Sequence, residues 1–180
     1  MNIAVFFGGR SCEHDISIIT GVQVLNALGD GYRVLPVYMK DGGFYTSDLM
    51  PDVGFFENPN LKKATRIWLI DGSFYTRKGM LLLKKETPDV ALICCHGGEG
   101  ENGVLQGFLE YNGVPYTSAG LIASSVCMDK SIAKQLLDGL MLNTMPSITV
   151  SRGDFEKNTN DVIRHVSTFL EYPLIVKPSD

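Results

Sequence analysis

The sequence predicts an α/β fold in which a parallel sheet is wound with helices. Two observations predict it. The apolar run Ile3-Ala4-Val5-Phe6-Phe7 leads directly into the turn Gly8-Gly9-Arg10-Ser11-Cys12-Glu13-His14-Asp15. The run Val90-Ala91-Leu92-Ile93-Cys94-Cys95 leads in the same way into His96-Gly97-Gly98-Glu99-Gly100-Glu101-Asn102-Gly103. A strand buried on both faces reads as a continuous apolar run. Glycines after it let the chain turn sharply into a helix. In open α/β sheets, ligands bind at this C-terminal edge of the strands. Both turns carry acids and a histidine, so the edge suits a small charged molecule.

The elements follow in order. Residues 2–7 are the first strand. Ile16, Ile19, Val22, Leu25 and Leu28 recur at helical spacing and predict a helix over 16–28, ended by Gly29 and Gly31. Val34-Leu35-Pro36-Val37-Tyr38 is a second strand, completing the strand–turn–helix–strand opening of a doubly wound fold. Residues 41–86 are less regular; the runs 67–70 and 80–83, flanked by Gly72 and Gly79, read as β-hairpin pieces. The core resumes with a strand over 89–95, a helix over 103–111 and a short strand over 114–117. After the turn Ser118-Ala119-Gly120 come helices near 121–127 and 129–140, then a strand over 147–150. Asn160 or Asp161 caps a helix whose apolar face is Val162, Ile163, Val166, Phe169 and Leu170. A strand over 173–177 follows. The last strand–helix–strand unit predicts a domain boundary near residue 125. Residues 174–180 read as a fresh strand and the start of a loop, so the chain is expected to be part of a longer protein.

Composition narrows the function. The 180 residues suffice for one domain, or one and part of another. They are 44% hydrophobic and 20% charged, an ordinary globular balance. A formal net charge of -4 argues against nucleic acid as a partner. No apolar run approaches the roughly 20 residues of a membrane span. Cys12, Cys94, Cys95 and Cys127 show no framework spacing and read as free thiols of a cytoplasmic protein.

The candidate chemistry lies in the turns. The first departs from G-x-G-x-x-G, which weakens a dinucleotide reading. Glu13 at its mouth would repel a phosphate and suits an ammonium group; alone, it could equally serve the helix N-terminus. His96 ends its strand between glycines, while Glu101 and Asn102 open the next helix. Cys94, Cys95 and His96 cannot converge on a metal or form a nucleophile pair, because successive strand side chains point to opposite faces.

On these residues the chain resembles the D-alanine–D-alanine ligases. Phe7 through Ser17 look like their N-terminal signature. His96-Gly97 through Glu101-Asn102-Gly103-Val104-Leu105-Gln106-Gly107 to Gly113-Val114-Pro115-Tyr116-Thr117 resemble the second. Met128-Asp129-Lys130 and Val176-Lys177-Pro178 look like phosphate-lysine segments of the ATP-grasp superfamily. The resemblance covers nearly the whole chain. It implies a Rossmann-like, pre-ATP-grasp parallel-sheet domain over 1–125 that binds substrate, and the start of the central ATP-grasp domain over 126–180.

The resemblance implies an activity. ATP phosphorylates the carboxylate of the first D-alanine, and the amine of the second attacks the acyl phosphate, for peptidoglycan precursor synthesis. Glu13 matches the glutamate that holds the first substrate's ammonium. His96 matches the histidine near that substrate, and Glu101 the acid that orients it. Lys130 and Lys177 match lysines on the ATP phosphates; Lys177 is expected to end a strand. ATP and magnesium are the implied cofactors. No residue here is assigned to the metal, and the 180 residues alone are expected to be inactive. D-alanine, ATP and a second copy in a homodimer are the implied partners, with no nucleic acid and no membrane. His14 and Asp15 stand where the family often has arginine and glutamate, and no role is attached to them. A ligase joining D-alanine to D-lactate or D-serine is the alternative within the family. A non-catalytic α/β binding module is the alternative outside it.

Overall fold

Strand β1 (Asn2–Gly8) lies inside the sheet and is buried along nearly its whole length. The computed structural model describes residues 1–57 and 61–179. These divide into two compact units, Met1–Ser125 and Val126–Asp180.

In the first unit β1 is flanked by two parallel partners, β2 (Arg33–Lys40) and, counted in chain order, β7 (Val90–Ile93). Between them in sequence run β3 (Gly43–Thr46), β4 (Thr65–Ile70), β5 (Ser73–Lys78) and β6 (Leu81–Glu86), each antiparallel to the one before. The sheet order is β6-β5-β4-β3-β2-β1-β7. The α/β class agrees with the sequence, but the sheet is mixed. Its parallel part is three strands, and the irregular 41–86 segment supplies a four-strand antiparallel meander. Asp41 and Asp71, with φ of 49° and 47°, make the β2–β3 and β4–β5 turns with the glycines that follow them.

The helices divide between the faces. Helix α1 (His14–Leu28) lays Ile18, Val22 and Leu25 on Ile3, Val5 and Phe7. Its buried stripe includes Ser17 and Gly21, whereas Ile16 and Ile19 are 51% and 44% exposed. The stripe is therefore rotated from the one the apolar spacing suggests. Gly21 explains the rotation: a Cβ there would fall 2.4 Å from Phe7 Cγ, so only glycine lets helix and strand approach this closely. A four-residue helix, α2 (Gly54–Glu57), brings Phe56 edge-on to Phe7 and Tyr38. Helix α3 (Val104–Tyr111) buries Leu105 and Leu109 on the other face, against Ala4, Phe6, Leu35 and Val37. Alternation along β1 thus feeds two cores. The expected strand over 114–117 reduces to a single parallel bridge between Ala91 and Tyr116.

Helix α4 (Leu121–Met128) follows, with α5 (Lys130–Gly139), α6 (Arg152–Lys157) and α7 (Thr159–Phe169) in the second unit. Asp129 caps α5, accepting from the N–H groups of Ser131 and Ile132 at 2.8 and 3.0 Å. These contacts, the Ile132 N–H foremost, hold its carboxyl below the usual range. The strands expected over 147–150 and 173–177 do not form. A strand exists by pairing its backbone groups with a neighbour, and the described residues of this unit contain none. The apolar face expected on α7 is only half-covered: Ile163 and Phe169 are 50% and 67% exposed.

Candidate active site

The first turn is set by backbone geometry. Gly8 and Gly9 have φ of 92° and 102°. A Cβ on Gly8 would meet the Met39 carbonyl oxygen at 2.6 Å. Ser17, fully buried, accepts from the Gly8 N–H at 2.8 Å and donates to the Cys94 carbonyl at 3.2 Å. One hydroxyl therefore ties together the ends of β1 and β7. His14 Nδ1 lies 2.6 Å from the Gly9 carbonyl, which can only accept, so this nitrogen carries a hydrogen. Its Nε2 pairs with the Tyr38 hydroxyl at 3.1 Å. Burial, helped by Asp41 and Asp15, pushes that hydroxyl up to about 12, so it stays protonated.

The second turn is laid against the first. Ser11 Oγ donates to the His96 carbonyl at 2.5 Å and accepts from the Glu13 N–H at 3.1 Å. Glu13 opens α1, and its carboxylate reaches Gly97: a Cβ on that glycine would lie 2.7 Å from Glu13 Oε2. Glu99 accepts from the Arg10 N–H at 3.0 Å and from Arg10 Nε at 3.3 Å. The carboxylate is 17% exposed and the guanidinium 72%, so its grip on the backbone outweighs the exposed ion pair. Gly100 packs on Cys95, where a Cβ would clash at 2.1 Å.

The structure thus brings the Glu13 carboxylate beside Gly97, the residue after His96, at the C-terminal edge of β1 and β7. Glu101 is exposed and forms no hydrogen bond or ion pair with His96. The partner of His96 Nε2 is Thr20 Oγ1, 2.9 Å away. The neighbouring thiols are inert, since burial pushes Cys94 up to about 11 and Cys95 up to about 12. A cavity of about 180 Å³ opens between the first turn and α3, lined by Arg10, Met39, Phe44, Glu99 and Phe108. Neither Glu13 nor His96 lines it.

In the second unit, Lys130 N–H and Nζ donate to the Ser179 carbonyl at 2.8 and 3.4 Å, and Ser179 Oγ donates to Asp129 at 2.8 Å. Lys177 stands two residues before Ser179 in irregular chain, not at a strand end. Ser11, Ser17, Thr20 and Glu99 are the members of the first site that sequence reasoning does not find. Ser17 gave no signal, because the apolar spacing of α1 points Ile16 and Ile19 to the sheet in place of the stripe that carries it. The others act across 76 to 89 positions of chain, which no local pattern reports.

Comparison with known proteins follows the same outline. A D-alanine–D-alanine ligase of Thermosipho africanus is 37% identical over 99% of this chain, which covers 49% of that protein. One of Leptospira interrogans is 35% identical over 98%, covering 50%. The chain therefore spans about half the length of the curated relatives it matches. The solved D-alanine–D-alanine ligase of Helicobacter pylori shares the fold, with a TM-score of 0.82 at 24% identity over 100% of this chain and 55% of that one. The VanG D-Ala:D-Ser ligase of Enterococcus faecalis superposes with a TM-score of 0.76 at 25% identity over 99% of this chain and 52% of its own. The family model of the D-ala D-ala ligase N-terminus matches residues 2–119, the sheet and both glycine turns, and the chain belongs to that family.

Proposed function

We propose that this chain is the N-terminal portion of a cytoplasmic, homodimeric, ATP-dependent D-alanine–D-alanine ligase of peptidoglycan precursor synthesis. The observation that carries the reading is the meeting of Glu13 with the His96–Gly97 turn. A carboxylate and an imidazole at one sheet edge are complementary to a zwitterionic amino acid. Glu13 holds the ammonium of the first D-alanine. His96 donates a hydrogen bond to charge developing on its reacting carboxyl group. Ser11, Ser17 and the Arg10–Glu99 contact keep the two turns in register, which is the positioning that carries most of the rate in such a reaction. Glu101 is not placed to orient His96 in this arrangement, and we leave it as an acid at the start of the α3 segment.

The reading also requires ATP and magnesium. The Lys130 ammonium reaches the residue two beyond Lys177, so two cationic side chains issue from neighbouring points of the second unit. This donor set fits a polyphosphate, and Lys130 and Lys177 are assigned to hold it. When bound, ATP supplies the phosphoryl group that activates the first carboxylate. Among the described residues no cluster of carboxylates or histidines suits a metal, and none is assigned.

The likeness to VanG favours a second reading, in which D-serine is the second substrate. One experiment tests both. The full-length protein is incubated with ATP, magnesium and D-alanine, with and without D-serine or D-lactate, and the products are separated by mass. Formation of the D-alanyl dipeptide with phosphate release is expected. A dominant mixed product would move the assignment to the second reading, and no ATP-dependent product would leave a binding module.

A further inference from the structure

We infer that Thr20 is a positioning residue that fixes the ring of His96, donating its hydroxyl hydrogen to Nε2 so that the proton of the neutral imidazole resides on Nδ1. The inference rests on the reading of His96 as a substrate-binding group, and it names the atom that would do the binding.

The geometry supplies the steps. His96 is held at two points, both from the first turn and its helix: Ser11 Oγ on its carbonyl at 2.5 Å and Thr20 Oγ1 at Nε2, 2.9 Å away. Thr20 lies inside α1, where a threonine hydroxyl ordinarily turns back to the carbonyl four residues earlier. Thr168 does this inside α7, donating to the Arg164 carbonyl at 2.8 Å. Thr20 makes no such bond; its hydroxyl is directed at His96 alone, so its single hydrogen is free for Nε2. A nitrogen that accepts carries no hydrogen, and the neutral ring then keeps its proton on Nδ1. Among the described residues Nδ1 has no partner. It is therefore the donor left for a ligand carboxyl group. Glu101 would impose the opposite pattern, because a carboxylate only accepts and would draw the proton to the nitrogen it faced.

The test uses the full-length protein with isotope-labelled histidine and reads the imidazole nitrogens by long-range nitrogen–proton NMR at pH 8. His96→Gln assigns the resonance. Wild type and Thr20→Ser are expected to show the Nδ1–H tautomer, and Thr20→Val, which keeps the shape without the hydroxyl, a shift toward Nε2–H. KM for D-alanine should rise about tenfold in Thr20→Val and recover in Thr20→Ser, with KM for ATP unchanged. An Nε2–H tautomer in the wild type would overturn the inference and needs no mutant to fold. So would a Thr20→Val protein with unchanged spectrum and KM. A changed tautomer with unchanged D-alanine kinetics would keep the Thr20 assignment and remove His96 from the substrate site.

Discussion

Glu13 is exposed to solvent and yet packed by its carboxylate against a glycine of the other turn. Exposure suits a group that meets a ligand from solution, and the glycine makes room for it. Replacing the charge while keeping the shape isolates the ammonium contact. Glu13→Gln in the full-length protein should lower kcat/KM for D-alanine by about 10- to 100-fold, the value of one charge-assisted hydrogen bond of about 1.5–3 kcal/mol. Steady-state kinetics below saturating D-alanine would show it; unchanged values would reduce Glu13 to a helix-terminus acid. The buried thiols make a different prediction at this scale. Burial raises Cys94 and Cys95 from 9.0 to about 11 and about 12. The folded chain therefore holds these protons more tightly than the unfolded one. That contribution is complete below pH 9 and is lost as pH rises through 11 to 12. The urea midpoint of this chain should be level between about pH 7 and 8.5 and fall above 9, less steeply in Cys95→Ala; an equal slope in the variant would count against it. Of these residues, Glu13 and His96 were legible because they sit in recognisable turns. Thr20 was not, because a threonine inside a helical pattern has the same local signature whether or not a histidine from another strand lies opposite.

At the scale of elements, the α1–β1 contact is decided by Gly21. Alanine is a better helix former than glycine by about 1 kcal/mol. Here that gain is opposed by a Cβ 2.4 Å from a fully buried Phe7 ring. Overpacking of this kind costs typically about 1–3 kcal/mol, and the backbone cannot yield without moving Ser17. Gly21→Ala should therefore destabilise the chain by up to about 2 kcal/mol net, read from the denaturant midpoint. A stabilised variant would mean that the helix stands further from the sheet. The parallel strands and their helices were legible in the sequence, since each apolar run is flanked by its own turn. The meander was visible only as hairpin pieces over 67–70 and 80–83; β5 was missed, and so was β3, whose four residues carry too little pattern. The strands read at 147–150 and 173–177 fail for a different reason. Apolar residues give a segment the propensity for a strand, but pairing is non-local, and the run itself does not reveal whether a partner is present.

For the whole molecule, the two units carry different halves of the proposed chemistry, amino-acid binding in the first and phosphate binding in the second. A chain that covers 49% of a related ligase should not turn over by itself. We expect no D-alanine-dependent phosphate release from residues 1–180 with ATP and magnesium, and steady turnover would overturn the division of labour. In the full-length protein, Lys177→Ala should reduce kcat/KM for ATP by about 10- to 100-fold with an unchanged melting temperature. Normal ATP kinetics would remove Lys177 from the nucleotide. The mixed sheet has a practical consequence. Its order puts β6 five strands from β1, about 24 Å at ordinary strand spacing. The β5–β6 turn, with Gly79 at φ 63° and Met80 94% exposed, is bound to neither glycine turn. That hairpin tip is a natural attachment point for a fluorophore or an affinity peptide, through which the protein could be tethered or tracked while the proposed ligand-binding edge stays open.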